Sequence, residues 1–419
     1  MTSSCKVVGI VQASNEYPLL GLSISHALMY HVDEIYVLNH ACHDGTQAGL
    51  KSLQELWKDR IFAYSYYDDS FYQEASTNVM IEISRKSSPD WIWVFDADEF
   101  MLTRENQSLK QFLNDVDPKY ALVRYEVRNW ISREDFDETV LENYRKLRYR
   151  TVPNQFFAMP AELAVDEILS GNLNFYDFKF PSKAIFRNNP ATWLGAGSHI
   201  LKNPDAVDTL HVEAERLSVA HFPFLTRKRL DSRARQGKKL MQAGFPISHG
   251  WQSRMVFKLM ENSRLDQFWQ SHSVGPSECS NMDGVPSIVA DDSFSRSIAS
   301  VVSLLKDKFG EKMILETSGT EKRFSMEDDT RVPFGISVSL TRKFQLISDI
   351  ARQERDSALM ERDSALVERD TAWAERERLS SRIEEILSSR SWRLASKLAN
   401  LARNHPRLAG ILKSIKDRI

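Results

Sequence analysis

Four short apolar runs, each followed by a helix-patterned stretch or a polar turn, dominate the first hundred residues and restrict the fold. "KVVGIVQA" (6–13), "DEIYVLNH" (33–40), "IFAYSYYD" (61–68) and "WIWVF" (91–95) are rich in β-branched and aromatic residues and read as strands. Between them, "LLGLSISHALMYH" (19–31), "GLKSLQELWKD" (49–59) and "EASTNVMIEISRK" (74–86) carry apolar residues at helical spacing, and "SSPD" breaks the last of them. This βαβαβαβ rhythm implies an α/β fold with a Rossmann-like, mostly parallel sheet. Ligands on such sheets bind outside the carboxyl ends of the strands. Polar clusters stand at those ends: Asn15 and Glu16, Asp44, Asp68 and Asp69, and Asp96 with Asp98.

The last cluster is the most informative. In "WIWVFDADEF" (91–100) an apolar strand runs into Asp96, Asp98 and Glu99. Carboxylates brought together repel, and burial penalises each charge, so a core has no use for them. On an extended backbone Asp96 and Asp98 would point the same way and could share one divalent cation. Hard oxygen ligands suit Mg²⁺ or Mn²⁺. Such an ion could carry the diphosphate of a nucleotide-sugar and stabilise charge on that leaving group. A solvated strand end with helix-capping acids is the plain alternative.

Residues 6–100 resemble the nucleotide-binding half of a GT-A glycosyltransferase of the family 2-like group. "VQASNE" resembles the first-strand motif, "IYVLNHACHDGT" the second, and "DWIWVFDADEF" the third. "SKAIFRNN", "GSH" (197–199) and "VAHFPFLTRKRLDSRARQGKK" resemble later segments, so the likeness spans roughly 6–245. The resemblance implies a metal-dependent, hexosyltransferase-like and inverting enzyme using Mn²⁺ or Mg²⁺. It implies that Asn15, Glu16 and Asp44 approach the nucleotide, that Asp96 approaches the ribose and a metal water, and that Asp98 ligates the metal. His221, and less so His199, would complete the metal site or touch the diphosphate. Asp44 before Gly45 is also ordinary turn chemistry. Arg227, Lys228 and Arg229 could attract phosphates or form a solvated face. Inverting transfer needs a base for the acceptor hydroxyl; Asp166 and Glu213 are candidates, with no unambiguous match.

The remaining sequence sets the wider organisation: a catalytic domain over 1–245, a mixed helical and loop region over 246–340, a long heptad helix over 341–390 and a basic amphipathic tail over 391–419. Within the first, "KYALVRYEVRNW" (119–130), "SKAIFRNN" (182–189) and "RLSVAHFPF" (216–224) read as strands, and "TRKRLDSRARQGKKLMQAG" as a basic helix. "ERDSALM", "ERDSALV", "ERDTAWA" and "ERERLSS" repeat at a period of seven. Ala358, Leu359 and Met360 are consecutive and fan around the helix, so a homo-oligomeric coiled coil competes with an exposed spacer. In the tail, Trp392, Leu394, Leu398 and Leu401 recur at helical spacing among basic residues, a pattern suited to an anionic membrane surface or to packing. A net charge of −2 argues against nucleic acid. Three scattered cysteines, no signal-like N-terminus and no long apolar window point to a cytoplasmic protein, with a peripheral inner-membrane contact through the tail. The expected partners are a nucleotide-sugar donor and a glycan, lipid-linked or protein acceptor.

Two other readings stand beside this one. A haloacid-dehalogenase-like phosphatase also has an apolar strand followed by DxD, and "ADDS" (290–293) could imitate its late acidic pair. Phe100 stands where that family wants Thr or Val, and three strand–helix units precede the motif. The other is a coiled-coil interaction protein carrying a degenerate transferase domain.

Overall fold

The computed structural model describes residues 5–313 except 41, 43, 67–72, 105–106, 158, 190–191, 196–200, 203–207, 243, 245–249 and 276–287, together with 379, 381–382, 393 and 396–397. It divides into two compact units, Met1–Arg342 and Lys343–Ile419. In the second unit the described residues are helical; the heptad seam and most of the basic tail lie outside them.

Among the described residues, the first unit is built on a mixed, mostly parallel sheet of nine strands. These are β1 (Val7–Ala13), β2 (Glu34–His40), β3 (Ile61–Tyr66), β4 (Trp91–Asp96), β5 (Glu99–Thr103) and β6 (Tyr120–Asn129), joined by Lys183–Arg187, Asp208–His211 and Leu217–His221. β3, β2, β1 and β4 lie side by side in that order, all parallel. β1 is therefore flanked by β2 on one side and β4 on the other, the reversal of order at which α/β sheets open a ligand crevice. Lys183–Arg187 runs antiparallel between β4 and β6. Leu217–His221 lies parallel to β6 and antiparallel to β5.

Alternation along β4 explains its unbroken apolar run. Trp91, Trp93 and Phe95 join one core with residues of α1 (Leu19–Tyr30) and α2 (Thr46–Trp57), while Ile92 and Val94 join another with Val79 and Met80 of α3 (Gln73–Ser84). A strand covered on both faces has no polar side to show. A third core gathers Phe175, Phe224, Trp251 and Phe268 around helices Ala161–Ser170, Arg227–Gln242, Trp251–Glu261 and Leu265–His272. Gly237 lets Arg227–Gln242 lie directly on Trp251–Glu261, since a Cβ there would stand 2.0 Å from the Ser253 carbonyl oxygen. The stretch beyond 245 thus supplies helices to this core, and Val301, Val302 and Leu305 of helix Ala299–Phe309 return to the first. Among the described residues no helix is long and apolar enough to cross a membrane.

α1 is buried along most of its length, and it carries His26 inward. Neither ring nitrogen of His26 has a hydrogen-bond partner among the described residues. Burial pushes its pKa down to about 3. An unfolded histidine titrates near 6.5, so this contribution to stability is whole above that pH and is lost as pH falls toward the folded value. His26→Leu should therefore gain on the wild type by about 1.4 kcal/mol for each pH unit below about 6.5. Urea unfolding of both proteins at pH 7.5 and pH 5 reads the difference; a gap that does not change with pH would show that the ring already titrates in the folded state.

Candidate active site

β4 ends at Asp96, and Ala97 and Asp98 form a turn before β5 begins. Asp98 therefore does not sit on extended backbone, and the alternation expected from the sequence does not set its direction. The antiparallel pairing of β5 with Leu217–His221 forces the chain to reverse there, and the two aspartates meet different partners. Asp96 Oδ2 accepts from Lys183 Nζ at 2.5 Å, and the same ammonium stands 2.7 Å from Glu99 Oε1. The other Glu99 oxygen accepts from the Asp96 backbone N–H at 3.2 Å. Lys183 is 3% exposed and Glu99 1%. Burial works against the Lys183 charge, but Asp96 and Glu99 outweigh it and hold its pKa high. Burial pushes Glu99 up to about 7, against the pull of Lys183.

Asp98 is 6% exposed. Its Oδ2 lies 3.6 Å from His221 Nε2 and 3.6 Å from Arg233 Nη2. Those are charge contacts, too long for hydrogen bonds. Strand register brings His221 opposite Glu99 and beside Asn129. His221 Nδ1 is 2.7 Å from Asn129 Oδ1. An amide oxygen only accepts, so Nδ1 carries the proton and Nε2 turns a lone pair toward Asp98. Burial lowers the His221 pKa despite the carboxylate beside it, which keeps the ring neutral near pH 7. A histidine whose far nitrogen is fixed by an oxygen is the usual arrangement of a metal ligand. Among the described residues no group of three or more His, Cys, Asp and Glu is placed to hold a metal ion. Asp98 Oδ2 and His221 Nε2 form a two-donor set, which fits a Mn²⁺ or Mg²⁺ ion that takes its remaining ligands from phosphate and water.

Other expected residues fall around this pair. Asn15 has a left-handed backbone, with φ of 60°, and its N–H donates to Cys42 Sγ at 3.1 Å. Glu16 is half-buried; burial and then Asp98 push its carboxyl up to about 8, with Arg229 and Arg233 pulling down. Asp44 joins two loops: Oδ1 accepts from the Thr46 N–H at 3.2 Å and Oδ2 from the Tyr17 N–H at 3.1 Å. The basic helix splits its charges. Arg227 pairs outward with Asp231 and Asp266, and Lys228 is exposed. Arg229 turns inward, pairing with Glu138 and donating to the Glu16 carbonyl at 2.9 Å. Asp166 stands exposed on helix Ala161–Ser170, 3.7 Å from Lys258, and Glu213 is exposed in a turn. Neither shares a described contact with Asp96 or Asp98. Asp291 pairs with Arg150 at 2.7 Å and Asp292 with Arg296, so the acidic pair that a phosphatase would need is engaged elsewhere. His199, Asp68 and Asp69 lie outside the described residues.

Lys183, Asn129 and Arg233 belong to the cluster, although the sequence alone gives none of them a role; Lys183 and Arg233 stand within segments that carry the family resemblance. Lys183 had a signal, a charge standing directly before the apolar run Ala184, Ile185 and Phe186. Arg233 follows Arg229 by one helical turn and so shares its face. Asn129 had none beyond its place at a strand end.

Several solved structures align with parts of the chain. S. aureus TarS 1–349 aligns at 11% identity over 63% of this chain and 74% of its own, with a TM-score of 0.30. The same fragment in complex with UDP aligns at 12% over 65% and 76%, at 0.29. A putative glucose-1-phosphate thymidylyltransferase from Bacillus anthracis, in complex with a sucrose, aligns at 10% over 32% of this chain and 61% of its own, at 0.23. No family model matches the sequence, and no curated protein does. Likeness at this level carries no functional weight; the cluster's own geometry does.

Proposed function

We propose that the chain is a metal-dependent glycosyltransferase that moves a sugar from a nucleotide-sugar donor to a saccharide, lipid-linked or protein acceptor. The observation that carries this reading is the approach of the Asp98 carboxylate to His221 Nε2, with the far ring nitrogen held by the Asn129 amide oxygen. The pair stands just past the end of β4, beside the reversal of strand order at β1. A bound Mn²⁺ or Mg²⁺ would neutralise charge developing on the departing diphosphate. Asp98 and His221 are the residues that would hold it. Asn129 fixes the tautomer of His221, and Lys183 holds the Asp96 carboxylate in place. Asp96 is 40% exposed, which suits a ribose hydroxyl. Asn15 and Glu16, on the loop after β1, border the place for the nucleotide. Asp166, exposed and 3.7 Å from Lys258, and Glu213 are the candidates for the acceptor's base, and the inverting course rests on the family resemblance alone. Peripheral membrane contact through 391–419 and pairing through the heptad helix belong to the same proposal, with a lipid-linked acceptor as the reason for docking.

Calorimetric titration of the full chain with a panel of nucleotide-sugars, in Mn²⁺, in Mg²⁺ and in chelator, tests it. One donor class should bind, and only with metal present. Equal binding in chelator would overturn the metal role, and no binding of any donor would overturn the transferase reading.

A further inference from the structure

Two nitrogens reach Asp98 Oδ2 at the same 3.6 Å, and they differ in kind. His221 Nε2 is a neutral donor of electrons. Arg233 Nη2 is part of a permanent cation. A metal ion seated on Asp98 would bring a second positive charge against that guanidinium, so the two compete for one carboxylate. What holds Arg233 decides which gives way. Nη1 donates to Gln252 Oε1 at 3.3 Å, and the guanidinium carbon stands 5.8 Å from the centre of the Phe224 ring. Its side chain keeps 22% exposure. Arg229, one turn earlier, is braced instead by the Glu138 carboxylate and the Glu16 carbonyl. Arg233 is thus the lightly held member of the inward pair, and its charge contact with Asp98 has no hydrogen bond to lock it.

We propose that Arg233 is an exchangeable counter-ion. It balances the buried Asp98 carboxylate when no metal is bound. When metal and a nucleoside diphosphate enter together, it leaves Asp98 and binds a phosphate oxygen. This rests on the nucleotide-sugar reading and adds a charge exchange to it. The exchange is balanced: Asp98 passes from one cation to another, and the guanidinium passes from a carboxylate to a phosphate, for which its planar fork is well matched. Metal alone must displace Arg233 and finds no new anion for it, so it binds weakly. Metal and diphosphate each ease the other's entry, which is a reciprocal coupling between the two ligands.

The test uses the full chain and reads binding rather than turnover. Free Mn²⁺ is counted by electron paramagnetic resonance without nucleotide, and UDP and GDP are each titrated calorimetrically in saturating Mn²⁺. Arg233→Met should bind Mn²⁺ alone roughly tenfold more tightly, because the competing cation is gone. The same variant should bind the diphosphate roughly tenfold more weakly. Opposite signs in one variant are what a merely structural role would not produce, since a disturbed fold weakens both. Arg233→Lys keeps a charge but not the fork, so it should leave Mn²⁺ affinity near the wild type while diphosphate binding falls. Arg227→Met, on the outer face of the same helix, should change neither. A wild type that binds both ligands, with Arg233→Met matching it in either, overturns the exchange alone. A wild type that binds neither overturns the transferase reading and this inference with it.

Discussion

Asp98→Asn should weaken metal-dependent donor binding by at least about 100-fold while the protein stays folded. Asparagine keeps the size of the side chain and removes the anionic ligand. The fold loses little, because among the described residues no group donates a hydrogen bond to the Asp98 carboxylate, and its neighbours are charge contacts at 3.6 Å. The turn is held instead by the Asp98 carbonyl, which accepts from the Phe222 N–H at 3.0 Å and is untouched by the substitution. Calorimetry with the donor, with and without Mn²⁺, reads the binding, and circular dichroism melting reads the fold. Wild-type affinity in the variant would remove Asp98 from the metal site. A collapsed melting temperature would show that its charge holds the turn.

The half-domain that carries this aspartate could be read from local pattern. β1, β2 and β4 announce themselves because burial on both faces leaves each a nearly continuous apolar run, and β3, at the sheet edge, by its aromatic residues; the polar residues that follow mark the carboxyl ends of the strands. Contacts far apart in sequence were not legible. Lys183 meets Asp96 across 87 residues and Asn129 meets His221 across 92, and no local period reports such a meeting. The turn at Asp98 is hidden from local pattern for the same reason. A strand can be read from its own residues, but a turn forced by a pairing over a hundred residues away cannot. Asp44 shows both cases: the plain turn chemistry of an Asp-Gly pair accounts for Oδ1 on the Thr46 N–H, while Oδ2 meets the Tyr17 N–H across 27 residues. Helix Trp251–Glu261 escaped assignment because it buries Ser253 and Arg254 along with Trp251, Met255 and Phe257. A helix enclosed on several sides shows no single apolar stripe.

Lys183→Met should destabilise the fold by about 3–5 kcal/mol near pH 8, because it removes one partner from a buried ionic group and leaves another behind. Methionine fills much the same volume, so the loss is electrostatic. Asp96 is partly open to water, which can take over from the ammonium. Glu99 is enclosed and cannot be hydrated in that way. Its pKa already stands up at about 7 through burial, and the Lys183 ammonium beside it pulls it down. Without that pull it rises further, and the carboxyl takes up a proton in the folded protein. An unfolded glutamate titrates near 4.3, so a raised folded value places the stable condition at low pH, and stability is lost as pH rises. The defect of Lys183→Met should therefore be smallest near pH 5 and largest near pH 8. Adding Glu99→Gln removes the stranded charge and should restore most of the stability at pH 8. It should not restore donor binding, because Asp96 still lacks the ammonium that holds it. Urea unfolding of the single and double variants from pH 5 to pH 8 measures both claims. A defect of equal size at both ends of that range, or one that Glu99→Gln leaves unchanged, would make Lys183 a packing residue rather than the cation that keeps these carboxylates in place.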